Sequence, residues 1–195
     1  MRSIFRFAGP MCFLIIFSCD KENAVFHPDG SAPVVSLNPG NAYSIHFNEY
    51  GRAVVHEWSH LEEITGDTLI RHTPYVIIDD GRIIRADDRN MYAFSNGRET
   101  IRLKYDVRKG DVVPFLGQRA VVTGIVRQDV FGVTQTVIHV ANALLHPDTV
   151  VTGKYATFFG MLSYSETYGQ RGSGWVLSGA LIDGVQYGSM EPAHP

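Results

Sequence analysis

The stretch "AVVHEWSHLEEITGD", residues 53–67, can be read in two incompatible ways. Wound as a helix, it puts His56 and His60 one turn apart on one face, about 5–6 Å between Cβ atoms. Both imidazoles then reach a single zinc ion at about 2.0–2.1 Å. Glu57, one residue along, becomes the base for a metal-bound water. Val54, Val55, Trp58 and Leu61 supply that helix with a buried stripe, and Gly66 stops it. Drawn out as a strand, the same letters keep His56 and His60 on one face but spread them over roughly 13 Å, at about 3.3 Å per residue. Glu57 then points to the opposite face. One metal cannot bridge that gap, so the secondary structure of this stretch decides both fold and chemistry.

The helical reading describes a zinc metallopeptidase with His56 and His60 as ligands and Glu57 as catalytic base. Its surroundings argue against it. Zinc needs a third protein ligand, and Thr65-Gly66-Asp67-Thr68 supplies no histidine where a His-Glu-x-x-His-x-x-Gly-x-x-His pattern requires one. Few domain residues precede the motif, too few for a sheet with a backing helix. No second helix follows to offer a glutamate.

Outward from the motif, the chain alternates with a period of two and is punctuated by turn chemistry. "YVIIDDGRIIRAD" carries Asp80-Gly81 between two β-branched runs, the signature of a type I′ hairpin. "MYAFSNGRETIRLKY" repeats the pattern with Asn96-Gly97, and "GALIDGVQYG" with Asp183-Gly184. "RAVVTGIVRQDVFGVTQTVIHVAN" reads as two long strands joined near residues 129–132. "KYATFFGMLSYSE" and "GWVLSGALI" read as one strand each, with the glycine-rich "TYGQRGSG" between them as a mobile loop. No stretch after residue 70 has the pattern of a long amphipathic helix. Hairpins at short spacing predict an all-β domain, an antiparallel meander forming a barrel or a two-sheet sandwich.

The first residues read as an address. Arg2 and Arg6 precede an apolar run over residues 8–17, and Ser18-Cys19 follows. That run is shorter than the 20 or so residues needed to span a bilayer. "IFSC", residues 16–19, resembles the bacterial lipobox, with Phe17 departing from its usual small residue. The resemblance implies that Cys19 becomes the lipidated first residue of the mature chain. The expected organisation is a signal peptide over 1–18, a lipid anchor and flexible tether over 19–33, an all-β domain over 34–188 and a tail over 189–195. Cys12 and Cys19 are the only cysteines. Loss of the signal leaves one, and no intramolecular disulfide.

Charge limits the partners. The chain has 17 basic and 20 acidic residues, a net charge of -3. Removing Arg2 and Arg6 with the signal leaves 15 basic against 20 acidic residues, or -5. The cations from Arg82 to Lys109 are interleaved with carboxylates, so no clustered basic face awaits a phosphate backbone and nucleic acid is not an expected partner. Asp79-Asp80 and Asp87-Asp88 are paired carboxylates, but they fall at turns, where acids are ordinary. No Gly-x-Ser-x-Gly elbow is present. His139 reads as a strand histidine with its hydrogen bonds satisfied, and His72 and His146 as loop residues.

"GDTLIRHTPYVII", residues 66–78, and "NMYAFSNGRETIRLKYDVRKGDVV" resemble segments of uncharacterised secreted and lipid-anchored β-rich bacterial proteins. The resemblance places His56 to His60 on the strand before a turn and carries no activity. The expected protein is thus a bacterial envelope lipoprotein, held to a membrane by its N-terminal lipid on the periplasmic side or at the cell surface. Its expected role is binding or assembly with an envelope ligand or protein, with no cofactor and a concave apolar face. The alternative is the zinc peptidase.

Overall fold

The structure, a computed structural model, describes residues 35–51, 55–142 and 149–190. Cys19, His146, the leader, the tether and most of the tail lie outside them. The described residues form antiparallel strands and no helix. The first meander holds β1 (Ala42–Tyr50), β2 (Val55–Ile70), β3 (Thr73–Ile78), β4 (Ile83–Ala86), β5 (Asn90–Ser95) and β6 (Arg98–Lys104). The second holds β7 (Val112–Phe115), β8 (Gln118–Val130), β9 (Val133–Asn142), β10 (Thr149–Ala156), β11 (Gly160–Tyr168) and β12 (Arg171–Ile182), with the short β13 (Val185–Gly188) folded back on β12.

Within each meander every strand pairs with its neighbours in sequence, and β1 pairs with β12 to join the two meanders. The result is one sheet path from β6 through β1 and β12 to β7, not two facing sheets. The path curls back on itself: Leu103 of β6 packs in one cluster with Val113 and Phe115 of β7, Val122 of β8, Ile138 of β9 and Tyr155 of β10. This is an up-and-down barrel with a seam, because no ladder joins β6 to β7 among the described residues. Each of these fully buried side chains contributes about 1.5–3 kcal/mol by leaving water.

Strand β2 makes the curl possible. Its first part, Val55 to Glu63, pairs with β1, and its last part, Ile64 to Ile70, pairs with β3. The register slips between Ile64 and Gly66, leaving Thr65 as the extra residue of a bulge. A bulge bends and twists a strand, so one strand serves two walls of the barrel. The other edge of Val55–Glu63 carries no strand among the described residues.

Several turns differ from expectation. Asp80-Gly81 is not a type I′ turn. Only Gly81 has positive φ (84°), and Gly81 N–H donates to Ile78 O while Ile78 N–H donates to Arg82 O. The loop therefore has three residues, a type I turn followed by a glycine bulge. Asp79 leaves the strand, and the Asp80 carboxylate accepts from the Arg82 N–H at 2.9 Å. Asn96-Gly97 and Asp183-Gly184 do take positive φ at both positions. So do Arg71-His72, Leu116-Gly117 and Phe131-Gly132, whose bulky first residues hide the signal. "KYATFFGMLSYSE" is two strands, β10 and β11, because Phe158 and Phe159 sit in the connection and are buried there. "TYGQRGSG" is largely strand rather than loop. It is a tight hairpin at Gly169-Gln170 flanked by paired strand residues. Gly172 is a strand residue lying against the Tyr50 ring, where a Cβ would come within 2.3 Å.

Candidate functional site: an apolar cavity with a polar rim

Alternation along β1, β2 and β12 sends every second residue to the inner wall. Tyr43, Ile45 and Phe47 from β1, His60 and Glu62 from β2, and Trp175 and Leu177 from β12 line one cavity of about 570 Å³. Ile78, Ile84, Met91, Ala93 and Leu103 close it from β3 to β6 of the first meander, and Phe159 and Met161 from the second. The volume lies in the range of about 300–1,000 Å³ that holds a small ligand, and the mix of a mostly apolar lining with a few polar groups is that of a ligand site.

Aromatic rings extend the wall along the cross-strand register. Trp58 pairs with Phe47, Phe47 with Trp175, and Trp175 with Tyr164. Trp58 stacks on Phe47 with centroids 5.2 Å apart. Beyond Tyr164, Phe115 stacks at 6.3 Å and covers Gly153. Burial pushes the Tyr43 phenol up, with Asp183 and Glu62 adding to the effect; its hydroxyl donates to Ser36 O at 3.3 Å.

The polar lining is His60, Glu62, Asp80, Arg82 and Arg102. Arg82 bridges two acids, its Nε donating to Asp80 Oδ2 at 2.6 Å and its Nη2 to Glu62. Burial raises the Asp80 carboxyl, but the bonds from Arg82 outweigh it and the net shift is downward. Arg102 sits at a bulge in β6, where Met91 pairs with Leu103 and Tyr92 with Ile101. Its side chain makes no ion pair or hydrogen bond among the described residues.

The histidine motif lies on β2, as a strand. His60 opposes Ile45 and faces the cavity, while His56 opposes Glu49 two pairs further along the same face as Trp58. Glu57 faces outward, 4.0 Å from His46 Nε2, and Ser59 Oγ is 3.2 Å from His46 Nδ1. The helical juxtaposition of His56, Glu57 and His60 is not formed. The acidic pairs do turn work: Asp87 accepts from the N–H groups of Arg89 and Asn90. His139 differs from expectation. It lies on β9, but its Nε2 is buried without a hydrogen-bond partner, because its neighbours in register are Gly124 and Lys154.

Phe47, Trp175 and Arg102 were not singled out from sequence, and Trp58 was read only as part of a helical stripe. The signal for Phe47 and Trp175 is present in "YSIHF" and "GWVL", where large apolar residues recur at every second position. The placement of Arg102 depends on a bulge, which leaves no mark in composition.

No family model matches the chain, and no curated protein matches it. Among solved structures it is similar to the crystal structure of Mycobacterium tuberculosis lipoprotein LppX, at 10% identity and a TM-score of 0.29, covering 70% of this chain and 84% of that one. It is also similar to a LolA superfamily protein from Nitrosomonas europaea, at 11% identity and a TM-score of 0.26, covering 78% of this chain and 90% of that one. Likeness at this level assigns neither fold nor function.

Proposed function

We propose that this chain is a lipid-anchored bacterial envelope protein whose barrel interior binds an apolar or amphipathic ligand without transforming it. The observation that carries this reading is the cavity of about 570 Å³, walled by Ile45, Phe47, Leu103, Met161, Trp175 and Leu177 and opening beside charged residues. A core has no use for that much empty space: interiors pack densely, and a void forfeits dispersion contacts along its lining. A ligand restores them. The leader and "IFSC" support attachment through Cys19 and a place in the envelope. The zinc peptidase is the poorer reading, since β2 turns Glu57 away from His56 and His60.

The test is recovery of the full chain from cell envelopes, with organic extraction and mass spectrometry of what accompanies it. An acyl-chain compound at about one per chain is expected. A Leu177→Arg variant that stays folded should lose it. A chain that carries nothing and takes up no lipid from vesicles would defeat the proposal. Cys19→Ser should abolish incorporation of labelled palmitate; retention of label in that variant would defeat the anchor.

A further inference from the structure

We propose that the seam between β6 and β7 holds the phosphate headgroup of a single-chain amphiphile whose acyl tail occupies the cavity. This rests on the reading of the cavity as a lipid site and names the ligand class. Outside the seam runs a groove lined by Thr100, Ile101, Arg102, Val113, Gln118 and Arg119, among others. It contains two arginines and no carboxylate. Neither arginine has an ion-pair partner among the described residues. Arg102 also lines the interior cavity, and its guanidinium reaches across the seam to the β7–β8 turn, where Nη1 lies 3.5 Å from the Cβ position of Gly117. Arg102 thus stands where a chain would pass from the apolar interior to the surface, and its charge is not spent on the protein.

A half-buried guanidinium without a counter-charge favours an anion, and its planar fork matches the oxygens of phosphate or carboxylate. Two features favour a phosphate ester bearing a hydroxyl. Arg102 and Arg119 come from β6 and β8, so the anion must present oxygens to both sides of the seam. Gln118, in the same groove, buries Oε1 without a partner, and that acceptor needs a donor such as a glycerol hydroxyl, which a carboxylate lacks. The interior acids do not compete, because Glu62 and Asp80 are both bonded to Arg82.

The experiment loads the delipidated full chain with N-phenylnaphthylamine, a neutral apolar dye, and displaces it with oleoyl lysophosphatidate, oleate or monooleoylglycerol. Lysophosphatidate should displace at the lowest concentration. Arg102→Gln should raise that concentration about tenfold, Arg119→Gln should raise it less, and added salt should raise it further in the wild type. Because Arg102 also lines the cavity, each variant is read by the ratio of the displacing concentrations of lysophosphatidate and monooleoylglycerol, which should rise in Arg102→Gln. Retained β-sheet circular dichroism shows that both variants fold. Oleate equal to lysophosphatidate, or an Arg102→Gln chain indifferent to the headgroup, would overturn the headgroup assignment while leaving the cavity reading standing. Failure of the wild type to bind the dye would overturn both.

Discussion

The ring of Trp58 lies flat on that of Phe47, with planes 3° from parallel. Trp58 is the middle residue of the histidine motif, and it backs the cavity wall through Phe47 while His60 lines the cavity itself. Truncation by Trp58→Ala should cost about 1 kcal/mol of stability, the scale of an aromatic pair that remains 42% exposed. It should also loosen Phe47 and weaken binding of an apolar probe. Glu57→Gln, on the outer face, should stay within about 0.5 kcal/mol of the wild type. Chemical denaturation of the three proteins checks the order; a larger effect at Glu57 than at Trp58 would reverse the assignment of importance within the motif.

Gly153 on β10 lies directly beneath Phe115, and a Cβ there would sit 2.1 Å from the ring's Cζ. Gly153→Ala should therefore destabilise the barrel by about 1–3 kcal/mol through overpacking. Adding Phe115→Leu should restore part of the loss, a coupling that a double-mutant cycle measures. Simple additivity would show that the ring can move aside.

Arg71 and His72 both hold positive φ, 52° and 68°, in a two-residue turn without glycine. Such backbone favours Asn-Gly, and each non-glycine residue there carries a cost of about 1 kcal/mol. R71N/H72G should raise the melting midpoint, with a gain of about 1 kcal/mol.

Stability should fall in acid. On the outer wall the Glu99 carboxylate accepts from Arg85 Nε at 2.6 Å and Nη2 at 2.9 Å, and from the Tyr75 hydroxyl. The Arg85 bonds, opposed by burial and aided by Tyr75, hold its pKa below the ordinary 4.5. A depressed carboxylate contributes stability that is full above its unfolded pKa and is lost as pH falls through the folded one. Denaturation midpoints should decline below pH 4.5, and Glu99→Gln should flatten part of that decline while lowering stability at neutral pH.

The strands were legible in the sequence because alternation and Asn-Gly or Asp-Gly turns leave local marks, as at residues 96–97 and 183–184. The reading of residues 56–60 as strand followed from a missing ligand and a missing scaffold, and β2 forms through them. What was hidden depended on distant parts of the chain. The connection at Phe158 and Phe159 looks like strand because its residues are apolar, yet they are apolar to close the end of the barrel beside Ile182 and Tyr187. The strand glycine Gly172 looks like a loop residue, but it yields space to Tyr50, more than a hundred residues away. The cavity needs residues from both meanders at once, and Arg102 reaches it only because β5 and β6 slip register by one residue.

The central claim is that the barrel interior takes an apolar ligand. Titration of the delipidated full chain with N-phenylnaphthylamine, beside an Ala93→Phe variant that projects a ring from the cavity wall, tests it most directly. The account predicts one dye per chain at about micromolar affinity in the wild type, and loss of that binding in Ala93→Phe with its β-sheet circular dichroism intact. No binding in the wild type, or equal binding in the two proteins, would contradict it.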